Sequence, residues 1–220
     1  MPASHFLALG DSYTIGESVP AEDRWPNQLA KLLADEGIQT DVTIIARTGW
    51  TVDELWQGIR ANPPEGRYDL VTLLIGVNDQ YRGYPATGYR EDFRFILDKT
   101  IEYAGGNPDK VIVLSIPDWG VTSFARGRNS GQIAADIDTF NAVNREESEK
   151  AKVDYVDVTP VSREAANNPS LIASDGLHPS GKMYAEWARL VLPNALEILR
   201  QSNHLPVFVC ICLLVRNQRR

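Results

Sequence analysis

The sequence predicts an α/β fold, a three-layer α/β/α sandwich built on a five-stranded parallel sheet. Short apolar runs alternate along the chain with longer stretches whose apolar residues recur at helical spacing. Such alternation is typical of a parallel sheet covered by helices on both faces. The third run is apolar throughout, as expected for a strand buried on both sides. With 220 residues, 43% of them hydrophobic, the chain is long enough for one domain with a full core.

The predicted strands and helices follow one another in a regular order. Strands are predicted at residues 6–9, 42–46, 70–75, 111–116 and 153–158, and helices at residues 25–36, 51–60, 91–104, 133–151 and 180–199. Gly37 stands where a C-cap glycine ends the first helix. The second helix opens with Thr-Val-Asp-Glu from Thr51, a capping-box pattern. Because crossovers between parallel strands are right-handed, few topologies remain.

The end of the chain departs from this pattern. We predict one domain over residues 1–202 and a C-terminal tail of unknown role over residues 203–220. The stretch 205–215 is apolar and precedes a basic end, but it is shorter than the about 20 residues that span a membrane. We expect it to be buried on its own domain or against another chain, which makes it a candidate for self-association, unless it is foreign to the native protein. The only two cysteines, Cys210 and Cys212, lie here and predict no disulfide framework.

The charge balance restricts the partners of the protein. Lys and Arg number 22 and Asp and Glu number 29, which gives a net charge of −7 at pH 7. Such an acidic surface argues against binding nucleic acid through its phosphates. The N-terminal residues show neither the basic region nor the cleavage site of a secretory signal, so a cytoplasmic location is expected.

Four short polar segments follow predicted strands or precede the last helix. They are Gly10-Asp11-Ser12-Tyr13, Arg47-Thr48-Gly49-Trp50, Gly76-Val77-Asn78-Asp79 and Asp175-Gly176-Leu177-His178-Pro179. In open parallel sheets, ligands bind outside the carboxyl ends of the strands. We therefore expect the four segments to meet along one edge of the sheet.

These segments contain the groups that acyl transfer requires. Ser12 is a weak nucleophile until a base takes its proton, and His178 is the only histidine away from the chain ends. Asp175, three residues earlier, can reach the imidazole Nδ1 and fix its tautomer. The oxyanion of such a reaction needs donors aimed at it. The candidates are the backbone N–H groups of Ser12 and Gly49 and the side-chain amide of Asn78.

Each segment by itself has a plainer explanation. Gly-Asp-Ser is usually a turn or a helix start, Gly-x-Asn-Asp is commonly a turn, and a lone Asp-x-x-His is more often structural. Four such segments in this order, each at the expected strand end, rarely arise by chance. The combination favours a serine hydrolase.

The segments resemble the sequence blocks of the SGNH hydrolases, also called the GDSL lipase/esterase family. The blocks match at Ser12, Gly49, Asn78, Asp175 and His178. The resemblance covers roughly residues 5–200. It implies a flavodoxin-like sandwich, metal-independent hydrolysis of esters or thioesters, and an oxyanion hole with three donors.

Residues beside the four segments are candidates for the wall of a substrate pocket. They are Tyr13, Trp50, Asp79, Tyr81, Tyr84 and Trp119. Many members of the resembling family have Leu where this chain has Tyr13, which we interpret as a change in the pocket wall. The other aromatic residues fit a pocket and a protein core equally well.

Other chemistries find no support in the sequence. The stretch from Gly176 to Lys182 lacks both the preceding strand and the Ser or Thr of a phosphate loop. The chain has no Gly-x-Ser-x-Gly elbow and no His-Glu-x-x-His or Cys-x-x-Cys zinc pattern. We therefore expect neither a metal nor a cofactor.

The function that the sequence predicts is hydrolysis of small-molecule carboxylic esters with short- to medium-chain acyl groups, through an acyl-enzyme intermediate. A carbohydrate O-deacetylase, a thioesterase or a lysophospholipase would use the same site. An inactive binding module is the alternative from another class, and the complete set of chemical groups argues against it. The sequence leaves the acyl chain length and the oligomeric state open.

Overall fold

A five-stranded parallel sheet forms the centre of the computed structural model, which describes residues 3–203. The strands are β1 (Ser4–Gly10), β2 (Thr40–Ala46), β3 (Leu70–Leu74), β4 (Val111–Leu114) and β5 (Asp154–Val156). Their order across the sheet is β2-β1-β3-β4-β5, and every neighbouring pair is parallel. This is the doubly wound order of flavodoxin-like proteins.

Helices connect the strands and cover both faces of the sheet. They are α1 (Ser12–Ile15), α2 (Trp25–Asp35), α3 (Val52–Ala61), α4 (Val77–Tyr81), α5 (Ala86–Tyr103), α6 (Ser130–Ala151), α7 (Thr159–Arg163) and α8 (Gly181–Asn203). Helix α2 packs against α8, and α5 packs against α3 and α6. None of the helices in the described residues is both long enough and apolar enough to cross a membrane.

The core lies between the sheet and these helices. Every residue of β3 and β4 is buried, because both strands lie inside the sheet with helices on each face. Trp25 of α2 and Trp187 of α8 are completely buried, and truncating either to Ala would cost about 3–5 kcal/mol of stability. The edge strand β2 differs, since its residues alternate between half-buried and exposed over most of its length.

The strand register aligns three strand ends at one edge of the sheet. Gly10, at the end of β1, pairs with Ala46 at the end of β2 and with Leu74 at the end of β3. The chain therefore leaves three neighbouring strands at the same level. The segments that follow these strands start side by side.

The predicted fold class and all five predicted strands are confirmed. The capping box at Thr51 and the positive φ of Gly37 after α2 are also as the sequence indicates. Helix α5 begins at Ala86 rather than at residue 91, because Gly88, a poor helix former, interrupts the pattern in its first turn. Helix α6 begins at Ser130 rather than at residue 133, because the side chain of Asn129 caps the helix at that point.

Two further differences concern short helices and the tail. Helices α1, α4 and α7 are not predicted, since four or five residues are too few to show a helical period. Helix α8 continues past residue 199 to Asn203. Almost all of the predicted tail, residues 204–220, lies outside the described residues.

Candidate active site

A cavity of about 170 Å³ lies at the carboxyl edge of the sheet, where the three aligned strands end. Its wall contains Ser12 after β1, Gly49 after β2, Asn78 after β3 and His178 from the loop before α8. The remaining predicted residue, Asp175, is hydrogen-bonded to His178. The structure thus brings together all five residues to which the sequence assigns chemistry.

Ser12 is the first residue of α1 and lies on a sharp strand-to-helix turn. Asp11 is the N-cap of this helix, and its Oδ1 accepts a hydrogen bond from the Tyr13 backbone N–H at 3.0 Å. The N–H groups in the first turn of a helix have no acceptor within the helix. The Ser12 N–H is therefore available beside its own hydroxyl, and Ser12 itself is 5% exposed.

Gly49 occupies a turn that glycine adopts without strain. The Trp50 N–H donates to the Arg47 carbonyl at 3.2 Å and closes the turn, and Gly49, its third residue, has a φ of 86°. A type II turn requires a positive φ at this position, which strains the backbone of any residue that has a Cβ atom. Within the described residues the Gly49 N–H has no backbone acceptor, so it remains available to a ligand in the cavity.

Asn78 lies in the first turn of α4 and is oriented by the Gly49 turn. Its Nδ2 donates to the Trp50 carbonyl at 2.9 Å. A side-chain amide carries two N–H donors, so one is left for the cavity. The same hydrogen bond ties α4 to the turn after β2, which fixes two candidate oxyanion donors relative to each other.

His178 and Asp175 form a tight pair in the loop before α8. The His178 Nδ1 lies 2.6 Å from Asp175 Oδ2, while Oδ1 accepts from the backbone N–H groups of Leu177 at 2.9 Å and His178 at 3.0 Å. Ser18 donates its hydroxyl to Oδ2 at 2.7 Å. Burial alone would raise the pKa of Asp175, but these hydrogen bonds outweigh it and hold that pKa below its usual range.

An ionised Asp175 places a proton on His178 Nδ1 and leaves Nε2 unprotonated, which is the tautomer a general base needs. No hydrogen bond joins Ser12 to His178 in the part of the chain that the structure describes; the two share the wall of the cavity. Contacts of this kind often tighten only when a substrate binds. The arrangement is therefore able to move a proton from the Ser12 hydroxyl to the imidazole.

Arg82 braces the Gly49 turn from outside the cavity. Its guanidinium donates to the Gly49 carbonyl at 2.7 Å and pairs with both carboxylate oxygens of Glu54, at 3.1 and 2.9 Å. Glu54 in turn completes the capping box of α3 by accepting from the Thr51 N–H at 3.0 Å. The turn that carries a candidate oxyanion donor is thus tied to both α3 and α4.

Aromatic side chains form one wall of the cavity. The predicted pocket residues Tyr13, Tyr81 and Trp119 lie in it, and Phe124 and Leu177 lie beside them. The rings of Tyr81 and Trp119 meet edge to face with centroids 5.3 Å apart, and the Trp119 Nε1 donates to Gln80 at 2.8 Å. This wall offers an apolar surface to a substrate.

Of the other three residues predicted for the pocket, Asp79 and Tyr84 lie away from it, which corrects the sequence interpretation, whereas Trp50 lies in a second space beside it. Asp79 turns inward and accepts from the Val52 N–H at 3.2 Å. Tyr84 is 47% exposed and lies outside the cavity wall. Trp50 lines a neighbouring groove. The direction of each side chain follows from tertiary contacts that a local motif does not encode.

Two buried carboxyl groups lie next to Ser12 and Asn78 in the chain. Burial raises the pKa of Asp11 to about 8, and the nearby charge of Asp79 adds to this effect. Burial likewise raises the pKa of Asp79 to about 7. Neither residue lines the cavity, so their protonation bears on the stability of the turns rather than directly on a substrate.

A larger depression, which we call the α3 groove, opens beside the cavity. It has a volume of about 770 Å³ and lies between the edge strand β2 and one face of α3. Its lining includes Trp50, Gln57, Gly58, Ala61 and Asn62. Thr48 and Gly49 line both the groove and the cavity, so the two spaces meet at the Gly49 turn.

Sequence analysis did not identify several residues that complete the site. Arg82 directly follows α4, a helix too short to be predicted, so its spacing from Asn78 gave no usable signal. Phe124, in a short 3₁₀ turn, and Ser18 carry no signal either, since long-range packing alone brings them to the site. Among the described residues, no group of three or more His, Cys, Asp or Glu side chains is placed to hold a metal ion.

The fold and these groups define a class, that of α/β sandwiches with a serine–histidine–aspartate site at the carboxyl edge of the sheet. The chain matches the GDSL-like lipase/acylhydrolase family over residues 8–186 and belongs to that family. The resemblance noted in the sequence is therefore confirmed.

Individual relatives agree with this assignment. An arylesterase of Vibrio mimicus is 36% identical over 85 residues, which amount to 36% of this chain and 40% of that relative. The structure of TesA superposes with a TM-score of 0.70 at 21% identity, covering 89% of this chain and 99% of TesA. The acetylxylan esterase of Geobacillus stearothermophilus superposes with a TM-score of 0.68 at 20% identity, covering 87% and 94%. At these identities the structural likeness shows the fold.

Proposed function

We propose that this protein hydrolyses carboxylic esters through a covalent acyl-enzyme on Ser12. The observation that carries this proposal is the shared cavity, which places a serine, a histidine paired with a carboxylate, and the Gly49 and Asn78 donors around one space. Membership in the GDSL-like lipase/acylhydrolase family supports it.

The first half of the reaction forms the acyl-enzyme. The Ser12 Oγ attacks the ester carbonyl carbon while His178 Nε2 takes its proton. The carbonyl oxygen becomes an oxyanion, which accepts hydrogen bonds from the N–H groups of Ser12 and Gly49 and from the Asn78 amide. His178 then returns the proton to the leaving alcohol oxygen as the carbon–oxygen bond breaks. Asp175 stabilises the imidazolium that exists between these steps.

The second half releases the acid. Water attacks the Ser12 ester and gives a proton to His178, the same donors bind the second oxyanion, and the carbon–Oγ bond breaks as His178 reprotonates Ser12. The cavity of about 170 Å³ is smaller than the about 300–1,000 Å³ of sites for drug-sized ligands. Together with its aromatic wall, this size favours short acyl groups.

Kinetics on p-nitrophenyl acetate test the proposal. Ser12→Ala should lower kcat by about 10⁴-fold or more, because the covalent route is lost. Ser130→Ala is the matched control, since Ser130 is an exposed serine that likewise begins a helix but does not line the cavity. Equal turnover by the wild type and Ser12→Ala, both folded by circular dichroism, would refute Ser12 as the nucleophile.

A further inference from the structure

The α3 groove begins where the proposed reaction takes place. Gly49 lines both the groove and the cavity, and its N–H is a proposed oxyanion donor. The two halves of an ester leave the carbonyl carbon in different directions. A substrate whose carbonyl oxygen lies against the Gly49 N–H can therefore place one half in the cavity and the other in the groove.

The two spaces differ in size and in the chemistry of their walls. The cavity measures about 170 Å³ and carries the aromatic wall of Tyr81, Trp119 and Phe124. The groove measures about 770 Å³ and is lined in part by the polar side chains of Gln57 and Asn62, by Arg47, and by the mutually paired Glu54 and Arg82. The apolar half of an ester, a short acyl chain, matches the cavity, and a large polar half matches the groove.

Trp50 supplies an aromatic surface within the groove. The indole packs directly against α3 at Gly58, where a Cβ atom would come within 2.1 Å of the ring. A glycine inside a helix costs about 1 kcal/mol of stability relative to alanine. The contact with Trp50 explains why position 58 is nevertheless a glycine. Trp50 is partly exposed and lines the groove, so its ring is available to the apolar face of a ligand.

Polar groups surround this aromatic surface. The Gln57 Nε2 donates a hydrogen bond to the Asp53 carboxylate at 2.9 Å. Its side-chain carbonyl oxygen can therefore accept a hydrogen bond from a ligand. Among the described strands β2 pairs only with β1, so its outer edge presents backbone N–H and C=O groups without a strand partner. Ile44 and Ile45 of this edge line the groove. Donors and acceptors around a partly exposed ring suit a ligand with several hydroxyl groups on a compact carbon skeleton.

We infer that the α3 groove binds the alcohol half of the substrate, and that this half is a large polyhydroxyl group of the carbohydrate type. The inference rests on the proposed function, and it makes the preferred substrate a short acyl ester, such as an acetate, of a sugar hydroxyl. The ester bond lies at the Gly49 turn, the acyl chain fills the cavity, and the sugar packs on Trp50.

Two pairs of matched variants test the groove. Ala61→Trp fills it from its exposed helical wall, and Ala135→Trp places the same ring on an exposed site of α6. Gln57→Ala removes a polar group from the groove. Gln132→Ala is its control, because Gln132 pairs with Asp136 at 2.8 Å one turn along α6, as Gln57 does with Asp53.

Each variant is measured on p-nitrophenyl acetate, on p-nitrophenyl hexanoate, on a mono-O-acetylated disaccharide and on an O-acetylserine peptide. Ala61→Trp should lower kcat/KM on the acetylated disaccharide by about tenfold or more, and Gln57→Ala by about threefold to tenfold. The loss of kcat/KM on p-nitrophenyl acetate should be several-fold smaller for both variants, because its single-ring alcohol occupies less of the groove than a disaccharide does. The two control variants should match the wild type on all four substrates.

Several results would overturn the inference while leaving the proposed function intact. One is an equal effect of Ala61→Trp on the acetate and on the acetylated disaccharide. Another is a selective loss on the hexanoate, which would place the acyl chain in the groove. A third is a selective loss on an O-acetylserine peptide with no effect on the disaccharide, which would make the occupant a peptide. If the wild type shows no Ser12-dependent turnover of p-nitrophenyl acetate, the proposed function itself fails.

Discussion

Removing the Arg82 brace should slow catalysis far more than it destabilises the fold. Arg82 and Glu54 are 38% and 37% exposed, and an ion pair exposed to this degree contributes about 0–1 kcal/mol. For a chain of this size, the Arg82→Met variant should therefore lower Tm by no more than about 2–4 °C. The hydrogen bond to the Gly49 carbonyl has a different consequence, because it fixes the turn that carries the proposed oxyanion donor.

The expected change in rate follows from the geometry of that donor. Deleting an oxyanion donor costs about 10²–10³-fold in kcat. Arg82→Met leaves the Gly49 N–H in place but unbraced, and a misplacement of about 1 Å costs up to about 10²-fold. We expect kcat on p-nitrophenyl acetate to fall by about tenfold to a hundredfold, with KM changed by less than about threefold, because the turn matters most in the transition state.

Two further variants separate bracing from general stability. Glu54→Gln keeps the capping box, which accepts Glu or Gln, but removes the charge that orients Arg82, so it should give a smaller fall in kcat. Arg200→Met breaks a comparable pair with Glu36, at 2.9 Å and remote from the cavity, and should leave kcat unchanged. An Arg82→Met variant with wild-type kcat, or an equal loss of kcat in Arg200→Met, would refute the bracing role.

Three other predictions concern the oxyanion hole, pH and the tail. Asn78→Ala should lower kcat by about 10²–10³-fold with a smaller effect on KM in steady-state kinetics, and an unchanged kcat would make Asn78 a turn residue only. The folded protein raises the pKa of Asp11 to about 8, so a proton that the unfolded carboxyl releases near pH 3.9 is retained on folding. This contribution to stability is complete below about pH 4, decreases as the pH rises, and is lost above about pH 8. Tm should therefore fall between about pH 5 and pH 8, and Asp11→Asn should reduce that slope; an identical slope in the variant would contradict the assignment. Removal of residues 203–220 should leave kcat/KM on p-nitrophenyl acetate unchanged, with size-exclusion chromatography reporting any lost self-association, and loss of turnover in a truncated protein that is folded by circular dichroism would place the tail in the site.

Much of the fold follows from the sequence because its signals are local. The strands β3 and β4 are continuous apolar runs, and burial on both faces leaves them no other environment. The boundary of α5 is less certain from sequence, since Gly88 hides its first turn. Helices as short as α4 lie below the length at which a period is visible, and their positions come from the strands that they follow.

The site likewise contains a part that the sequence predicts and a part that it does not. Ser12, Gly49, Asn78 and His178 come together because each directly follows a strand end or precedes the last helix, and parallel strands bring these points to one edge. The direction of a side chain beyond such a turn is set by distant partners. Trp50 faces α3 because Gly58 makes room for it, and no motif around Trp50 carries that information.

Covalent labelling tests the central claim, that Ser12 is the nucleophile of a histidine-assisted acyl transfer, most directly. The wild type is treated with a fluorophosphonate, and intact-protein and peptide mass spectrometry locate the adduct. The structure predicts one adduct, on the peptide that contains Ser12, together with complete loss of esterase activity; His178→Ala should slow its formation by about 10³-fold or more. Stoichiometric labelling of a different serine, with Ser12 unmodified and activity abolished, would contradict the account.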